Sequence, residues 1–336
     1  MADHDGAVAV AVSGGGDSLA LMRLLAAYAG ARKLRAVVLT VDHGLRKSSA
    51  ADAAKVVAWA RAAGLKAQCL SWRGAKPKSG MEAAAREARY RLMGGWLVKN
   101  NITTLLVGHT QDDQAETFLL RLARGSGLDG LAAMSPLAPW PVGKFPGLSV
   151  RRPLLGVTRA ELRAWLTALS QPWLEDPMND DDGFDRVKLR KARAALEDAG
   201  LSAARIAAAA AHLARARAAL EVMTQAVLER ACRPLESGFA LDPGALAAAP
   251  REVGLRALAG LLRTVGGQAY RPRFDALERL FDSIATGRLG KGVTLHGCYI
   301  RPAARRDGAR PPFTLLVERE NPRKTSNSAK KTAGRS

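Results

Sequence analysis

Four short runs of apolar residues punctuate the first third of the chain, at 7–12, 34–41, 66–70 and 104–107. Between them lie longer stretches, 18–28, 49–63 and 81–99, in which apolar residues recur at helical spacing and polar residues fill the gaps. Strand-length runs alternating with helix-length segments predict parallel strands joined by right-handed helical crossovers, hence an α/β sheet. Ligands of such sheets gather at the carboxyl ends of the strands, so the chemistry is expected in the loops that follow each apolar run.

The pattern changes downstream. Residues 135–153 are rich in Pro and Gly and read as a loop, followed by a helix over 158–169 and a polar stretch at 175–182. Residues 186–230 contain Ala, Leu, Arg and Glu without Pro and predict two or three helices, one of them over 202–220. Short strand-like pieces at 293–295, 298–301 and 313–318 predict a small α+β domain, and 321–336 reads as a disordered basic tail.

Charge adds a partner to this outline. The 336 residues carry 51 Lys and Arg against 31 Asp and Glu, a formal net charge of +20. Neutralising phosphates releases condensed counterions, so such a balance favours a polyanion such as nucleic acid, although solubility alone also favours high charge. Cys69, Cys232 and Cys298 are far apart and form no CxxC pair, which argues against a disulfide framework, a structural zinc and an iron–sulfur cluster. The first residues place acids before a short apolar run, and no later stretch reaches membrane-spanning length, so a cytoplasmic protein without a membrane partner is expected.

The first apolar run leads into Ser13-Gly14-Gly15-Gly16-Asp17-Ser18 and then a helix. Small residues let backbone N–H groups close around an anion, and the helix N-terminus adds a positive dipole. No Walker-type glycine–lysine sequence and no dinucleotide fingerprint is present, so neither an ordinary γ-phosphate-transferring NTPase nor a Rossmann dehydrogenase is indicated. A plain capped glycine turn is the alternative for the loop taken alone.

Three further segments follow the predicted strands. Val41-Asp42-His43-Gly44-Leu45-Arg46 ends the second, and Gly108-His109-Thr110-Gln111-Asp112-Asp113-Gln114-Ala115-Glu116 opens the helix after the fourth. Asp112, Asp113 and Glu116 crowd the first turns of that helix, where carboxylates can hold Mg2+ beside phosphates or simply cap the helix. On the preceding helix Glu82, Arg86 and Arg89 share one face, as active-site groups or as an exposed ladder of charges.

Ser13 to Ser18 is similar to the SGGxDS signature of the PP-loop ATP pyrophosphatases, which release pyrophosphate and leave AMP on an acceptor. The ordered set of motifs resembles the lysidine synthetase family within that superfamily. That set runs from His43 through His109-Thr110-Gln111-Asp112-Asp113, Gly125-Ser126-Gly127-Leu128-Asp129-Gly130-Leu131 and Arg152-Pro153-Leu154-Leu155 to Trp173-Leu174-Glu175-Asp176-Pro177. The likeness covers roughly the first 190 residues. Its last fragment departs from the family, with Arg186-Val187-Lys188 in place of Arg-Asn-Arg.

The resemblance implies a PP-loop catalytic domain over 1–185, a helical linker over 186–232, a small tRNA-binding domain over 233–320 and the tail. It implies ATP and Mg2+ as cofactors, L-lysine and the CAU-anticodon isoleucine tRNA as partners, and leaves a homodimer open. Ser13, Gly14, Gly15, Gly16, Asp17, Ser18 and His43 would bind the nucleotide, with Asp17 and Asp113 on Mg2+. Asp17, Arg89, Asp113 and Glu116 would be catalytic, and Arg121, Arg124, Arg186 and Arg190 would grip tRNA. Competing readings are a tRNA-thiolating relative, which would need paired cysteines, a small-molecule amidating synthetase, and a silent RNA-binding protein.

Overall fold

The computed structural model describes residues 6–77, 79–175, 189, 192–268, 270–304 and 307–320. The chain forms two compact units, Met1–Arg215 and Ala216–Ser336, and the division falls inside one long helix.

The first unit is built on a six-stranded sheet. In chain order it runs β1 (Val8–Ala11), α1 (Gly16–Arg32), β2 (Ala36–Asp42), α2 (Ser49–Ala62), β3 (Lys66–Ser71), α3 (Met81–Lys99) and β4 (Thr104–Leu106). It continues with α4 (Gln111–Ala123), the single turn α5 (Leu128–Leu131), β5 (Leu137–Pro139), β6 (Ser149–Arg151), α6 (Arg159–Ala168) and α7 (Arg193–Asp198). The strand order is β3-β2-β1-β4-β6-β5, parallel throughout except for β5, which pairs antiparallel with β6.

Alternation within β1 decides which helices cover which face. Val10 and Val12 point into a core with Leu19 and Met22 of α1, Val56 of α2, and Leu162 and Leu166 of α6. Ala9 points the other way, into a core with Tyr90, Met93 and Leu97 of α3 and with Leu39 and Leu105. A strand buried on both faces needs apolar residues in succession, which is why the sequence reads as runs rather than alternation. From β1 the chain steps outward to β2 and β3, then returns to place β4 on the other side of β1. The order therefore reverses between β1 and β4, and their carboxyl ends open a crevice.

The second unit follows from the long helix α8 (Ala203–Ala231). Its elements are β7 (Cys232–Leu235), β8 (Gly238–Leu241), α9 (Pro243–Ala247), α10 (Arg251–Gly266), α11 (Phe274–Ala285), β9 (Val293–Leu295), β10 (Cys298–Pro302) and β11 (Leu315–Arg319). The strands make an antiparallel sheet in the order β7-β8-β11-β10-β9. Leu277, Leu280, Phe281 and Ile284 recur at helical spacing on α11 and meet Leu258 and Leu262 of α10 and Ile300 and Val317 of the sheet. Each such side chain stabilises the unit by about 1.5–3 kcal/mol on burial.

The first four strands and their crossovers fall where the sequence places them. Two strand pairs do not. β5 and β6 lie inside the segment read as a loop, because three residues are too few to carry a period and Pro139 is tolerated only on an edge strand. β7 and β8 form a hairpin closed by Glu236 and Ser237, and Gly238 is obligatory there: a Cβ on it would stand 2.2 Å from the carbonyl oxygen of Val317 on β11. No helix among the described residues is long and apolar enough to cross a membrane.

Candidate active site

The crevice between β1 and β4 is a cleft of about 800 Å³ in the first unit, and Ser13, Gly15, Gly16, Asp17, Ser18, His43, Arg89, His109, Arg159 and Arg163 are among the residues that line it. Its floor is the loop between β1 and α1. Ser18 Oγ accepts from the Ser13 amide at 3.2 Å and donates to the Gly15 carbonyl at 2.9 Å, so one hydroxyl closes the loop on itself. Gly14, at φ +96°, is buried beneath Leu174, whose amide donates to the Gly14 carbonyl at 2.9 Å. A Cβ at Gly14 would lie 2.5 Å from Leu174 Cδ1, so the returning 173–175 segment imposes this glycine together with the turn itself.

The second wall comes from the loop after β4. Gly108 passes so close to the phosphate loop that a Cβ would meet the Asp17 carbonyl oxygen at 2.9 Å and Ser18 Cα at 3.0 Å. Thr110 then caps α4: its hydroxyl accepts from the Asp113 amide, and the Thr110 amide donates to Asp113 Oδ2 at 2.8 Å. Of the acids read as either cap or site, Asp113 closes the cap, and its other oxygen faces a cation.

That cation is Arg159, the first residue of α6. Its Nε donates to Asp17 Oδ2 at 3.1 Å and its Nη2 to Asp113 Oδ1 at 3.1 Å, while Nη1 stands 3.5 Å from Glu116 Oε1. Its amide donates to Asp112 Oδ2 at 2.7 Å. The structure thus brings Asp17, Asp113 and Glu116 together, as expected, but around a guanidinium that the sequence reading did not select. A signal existed: Thr158-Arg159-Ala160-Glu161 is a second capping box, with Thr158 Oγ1 and Glu161 Oε2 2.6 Å apart, which fixes Arg159 at the start of a helix. Nothing in the sequence says which acids that helix start meets.

Electrostatics divide the cleft. Burial pushes the Asp17 carboxyl up from its ordinary value against the pull of Arg159, and Asp17 Oδ1 is buried with no hydrogen-bond partner. Burial pulls His109 down to about 4, and Asp113 opposes this only in part; His43 is lowered by burial and by Arg89 and Lys76. Both rings are therefore neutral near pH 7, and the Nδ1 of each is buried without a partner. Arg89 and Arg86 stand 5.6 and 5.1 Å from the Tyr90 ring centroid. Burial and Arg86 lower the pKa of Arg89, so it is a desolvated cation at the cleft wall.

The expected Mg2+ position can be tested on these atoms. Both oxygens of Asp113 are engaged, whereas Asp17 Oδ1 is not, so of the two expected ligands only Asp17 has an oxygen that could meet a hard cation. Among the described residues no group of three or more His, Cys, Asp or Glu is disposed to hold a metal by itself.

Of the expected tRNA contacts, Arg121 donates through Nη1 to the carbonyls of Gly130 at 2.7 Å and Ala133 at 3.1 Å, and so ties down the segment around α5. Arg124 is exposed. Arg186 and Arg190, with the departure at Val187, lie outside the described residues.

The strand-order reversal, with a glycine loop and a capped acidic helix at its mouth, puts these groups where open α/β sheets take their ligands. Residues 2–195 match the PP-loop domain family. The chain is 41% identical to the tRNA(Ile)-lysidine synthase of Ruegeria pomeroyi, over 88% of this chain and 69% of that one. It is 42% identical to that of Bradyrhizobium diazoefficiens over 84% and 80%, and to that of Methylobacterium nodulans over 84% and 84%. The chain belongs to the tRNA(Ile)-lysidine synthase family. Among solved structures it shares its fold with the U34-tRNA thiolase NcsA from Methanococcus maripaludis, at a TM-score of 0.50 and 16% identity over 65% of this chain and 73% of that one.

Proposed function

We propose that this protein joins L-lysine to C2 of the wobble cytidine of the CAU-anticodon isoleucine tRNA, consuming ATP and giving lysidine, AMP and pyrophosphate. The modified tRNA then reads AUA and is charged with isoleucine rather than methionine. Family membership together with the Asp17–Arg159–Asp113 cluster at the mouth of the glycine loop carries this reading.

In the first step the C2 oxygen attacks the α-phosphorus, an O–P bond forms, and the bond to pyrophosphate breaks. In the second the ε-amine of lysine attacks C2, the C2–O bond breaks, AMP leaves and the amine loses a proton. The amides of Ser13 to Ser18 and the start of α1 suit the phosphates. Arg89, desolvated at the wall, suits the charge that develops on the phosphoryl group. Neutral His43 and His109 can accept or donate a hydrogen bond without carrying charge. Asp17 Oδ1 would hold Mg2+, with Asp113 as its neighbour through Arg159; the ion would neutralise phosphate charge.

Asp112 and Glu116, both in contact with Arg159, border a second cavity of about 60 Å³ whose other walls include Leu119, Leu196 and Ile206; an aliphatic chain ending in an amine would there share the acids with the guanidinium. Residues 233–320, which fall within the second unit, are read as the tRNA-binding domain, and a cytoplasmic site of action and a homodimer are carried as parts of the same proposal.

The deciding experiment supplies ATP, Mg2+, radiolabelled lysine and unmodified CAU-anticodon isoleucine tRNA, with the methionine tRNA sharing that anticodon as control. Label confined to the isoleucine tRNA, with AMP released, is expected. AMP without label would assign another nucleophile, and tRNA binding without AMP would sink the enzymatic reading.

A further inference from the structure

Three carboxylates converging on one largely buried guanidinium is an unusual use of an arginine beside a nucleotide site. Arg159 is only 20% exposed, and its three acidic neighbours are no more than 22% exposed. Its partners lie 142 and 46 residues away in sequence, on the phosphate loop and on α4. A planar fork can satisfy several carboxylates at once, which an ammonium cannot. Because the guanidinium lies among the acids, they are spread around it, and no three of them are disposed for a metal ion. Asp17 is nevertheless left with one oxygen buried and unpartnered, while its other oxygen is held by Arg159.

We propose that Arg159 is the positioning residue of this site: a built-in counter-ion that keeps a divalent ion out of the acid cluster before nucleotide binds and fixes Asp17 so that Oδ1 alone meets the ion arriving with ATP. The inference rests on the nucleotide-using reading of the cleft. It assigns no contact with the reacting atoms to Arg159, which acts through Asp17 and Asp113. Loss of the guanidinium leaves three acids facing one another, and the cheapest relief for such a group is a hard cation.

The test is Mn2+ binding to the full chain without nucleotide, followed by the loss of the free-ion spectrum in electron paramagnetic resonance. The wild-type protein is expected to leave Mn2+ free until ATP is added. R159M is expected to take up about one equivalent without ATP, and Mn2+ is expected to raise its melting temperature but not that of the wild type. With ATP, Mg2+ and tRNA, AMP formation in R159M should fall about a hundredfold through misplacement of Asp17, while tRNA affinity holds. If R159M does not fold, R159K replaces it, with the same Mn2+ uptake expected because one ammonium cannot span three carboxylates. Mn2+ uptake by nucleotide-free wild type, or none by either variant, overturns the proposal whether or not the protein makes lysidine. A wild-type protein that behaves as expected towards Mn2+ but forms no AMP would instead count against the function.

Discussion

The two units use arginine in opposite ways. In the first, Arg159 gathers three acids inside a cleft and leaves polar atoms around it unmatched. In the second, Arg301 pairs with Asp307 at 2.7 Å and Glu318 at 3.1 Å across neighbouring strands, and Arg251 joins Asp282 and Glu278 of α11 at 2.6 and 3.2 Å. The Arg251 pairs lie at the surface, where such interactions contribute little, whereas Arg301 is as covered as Arg159, at 22% against 20% exposed, and its acids leave no buried oxygen without a partner. Among the described residues, the buried side-chain atoms without a hydrogen bond all belong to the first unit: Asp17 Oδ1, His43 Nδ1, His109 Nδ1, Trp140 Nε1, and the Nε atoms of Arg151 and Arg152, two side chains that interact through other atoms. Three of the six line the cleft. Buried polar groups are ordinarily satisfied, so the three at the cleft have hydrogen-bonding capacity that the protein itself does not use. Among the described residues the second unit has a mainly apolar interior, and its one buried charged side chain, Arg256, is paired with Glu252 at 2.7 Å.

This contrast can be broken most sharply at Gly108. Gly108→Ala drives a methyl into the backbone of Asp17 and Ser18, which cannot yield as a side chain would, and AMP formation should fall at least about a hundredfold. An assay of AMP release in which G108A retained a tenth of normal activity would show that the two loops need not touch. Leu258→Ala, in the fully buried core of the second unit, should instead cost about 2–5 kcal/mol of stability, read as an earlier unfolding transition with AMP formation per folded molecule little changed at low temperature.

A smaller effect is expected at the exposed end of the second unit. Tyr270 and Phe274, 71% and 59% exposed, flank Arg271 and Arg273 in the connection before α11, an arrangement suited to stacking and phosphate contact. Replacing both aromatics by Ala should raise the KM for tRNA by about thirtyfold, at the low end of two stacking contacts, and leave the KM for ATP unchanged. Equal shifts in both constants would move these residues out of any RNA-binding role.

The mildest test uses acid. His109 titrates near 4 in the folded chain and near 6.5 when unfolded, so between those values the unfolded chain binds a proton that the folded ring refuses. Its contribution therefore turns against the fold as pH drops from about 6.5 towards 4. His109→Gln should flatten that part of the stability profile, measured by denaturant melts at successive pH values; an unchanged slope would show that the ring is not buried neutral.

Much of this was legible beforehand because it is local. Runs buried on both faces give β1, β2 and β4, the edge strand β3 shows as a short run although none of its residues is fully buried, and the glycine loop and the Thr110 cap can be read over six and four residues. β5, β6, β7 and β8 escaped because three- and four-residue strands gain their identity from a partner strand rather than from their own pattern. The acids were readable as a group at the start of α4. Arg159 was not, since its significance lies in Asp17, and a sequence shows neither the distance between two such positions nor the helix packing that closes it.

The same separation orders events as the chain is made. Synthesis runs from the amino terminus, so Asp17 and the glycine loop leave the ribosome well before Arg159, and closing a contact across 142 residues demands that the intervening strands already be in place. Until residue 159 has been made, a nascent chain therefore carries the glycine loop and the acids of α4 without the cation that joins them in the finished fold. Competence for chemistry thus becomes a report that the whole sheet has closed.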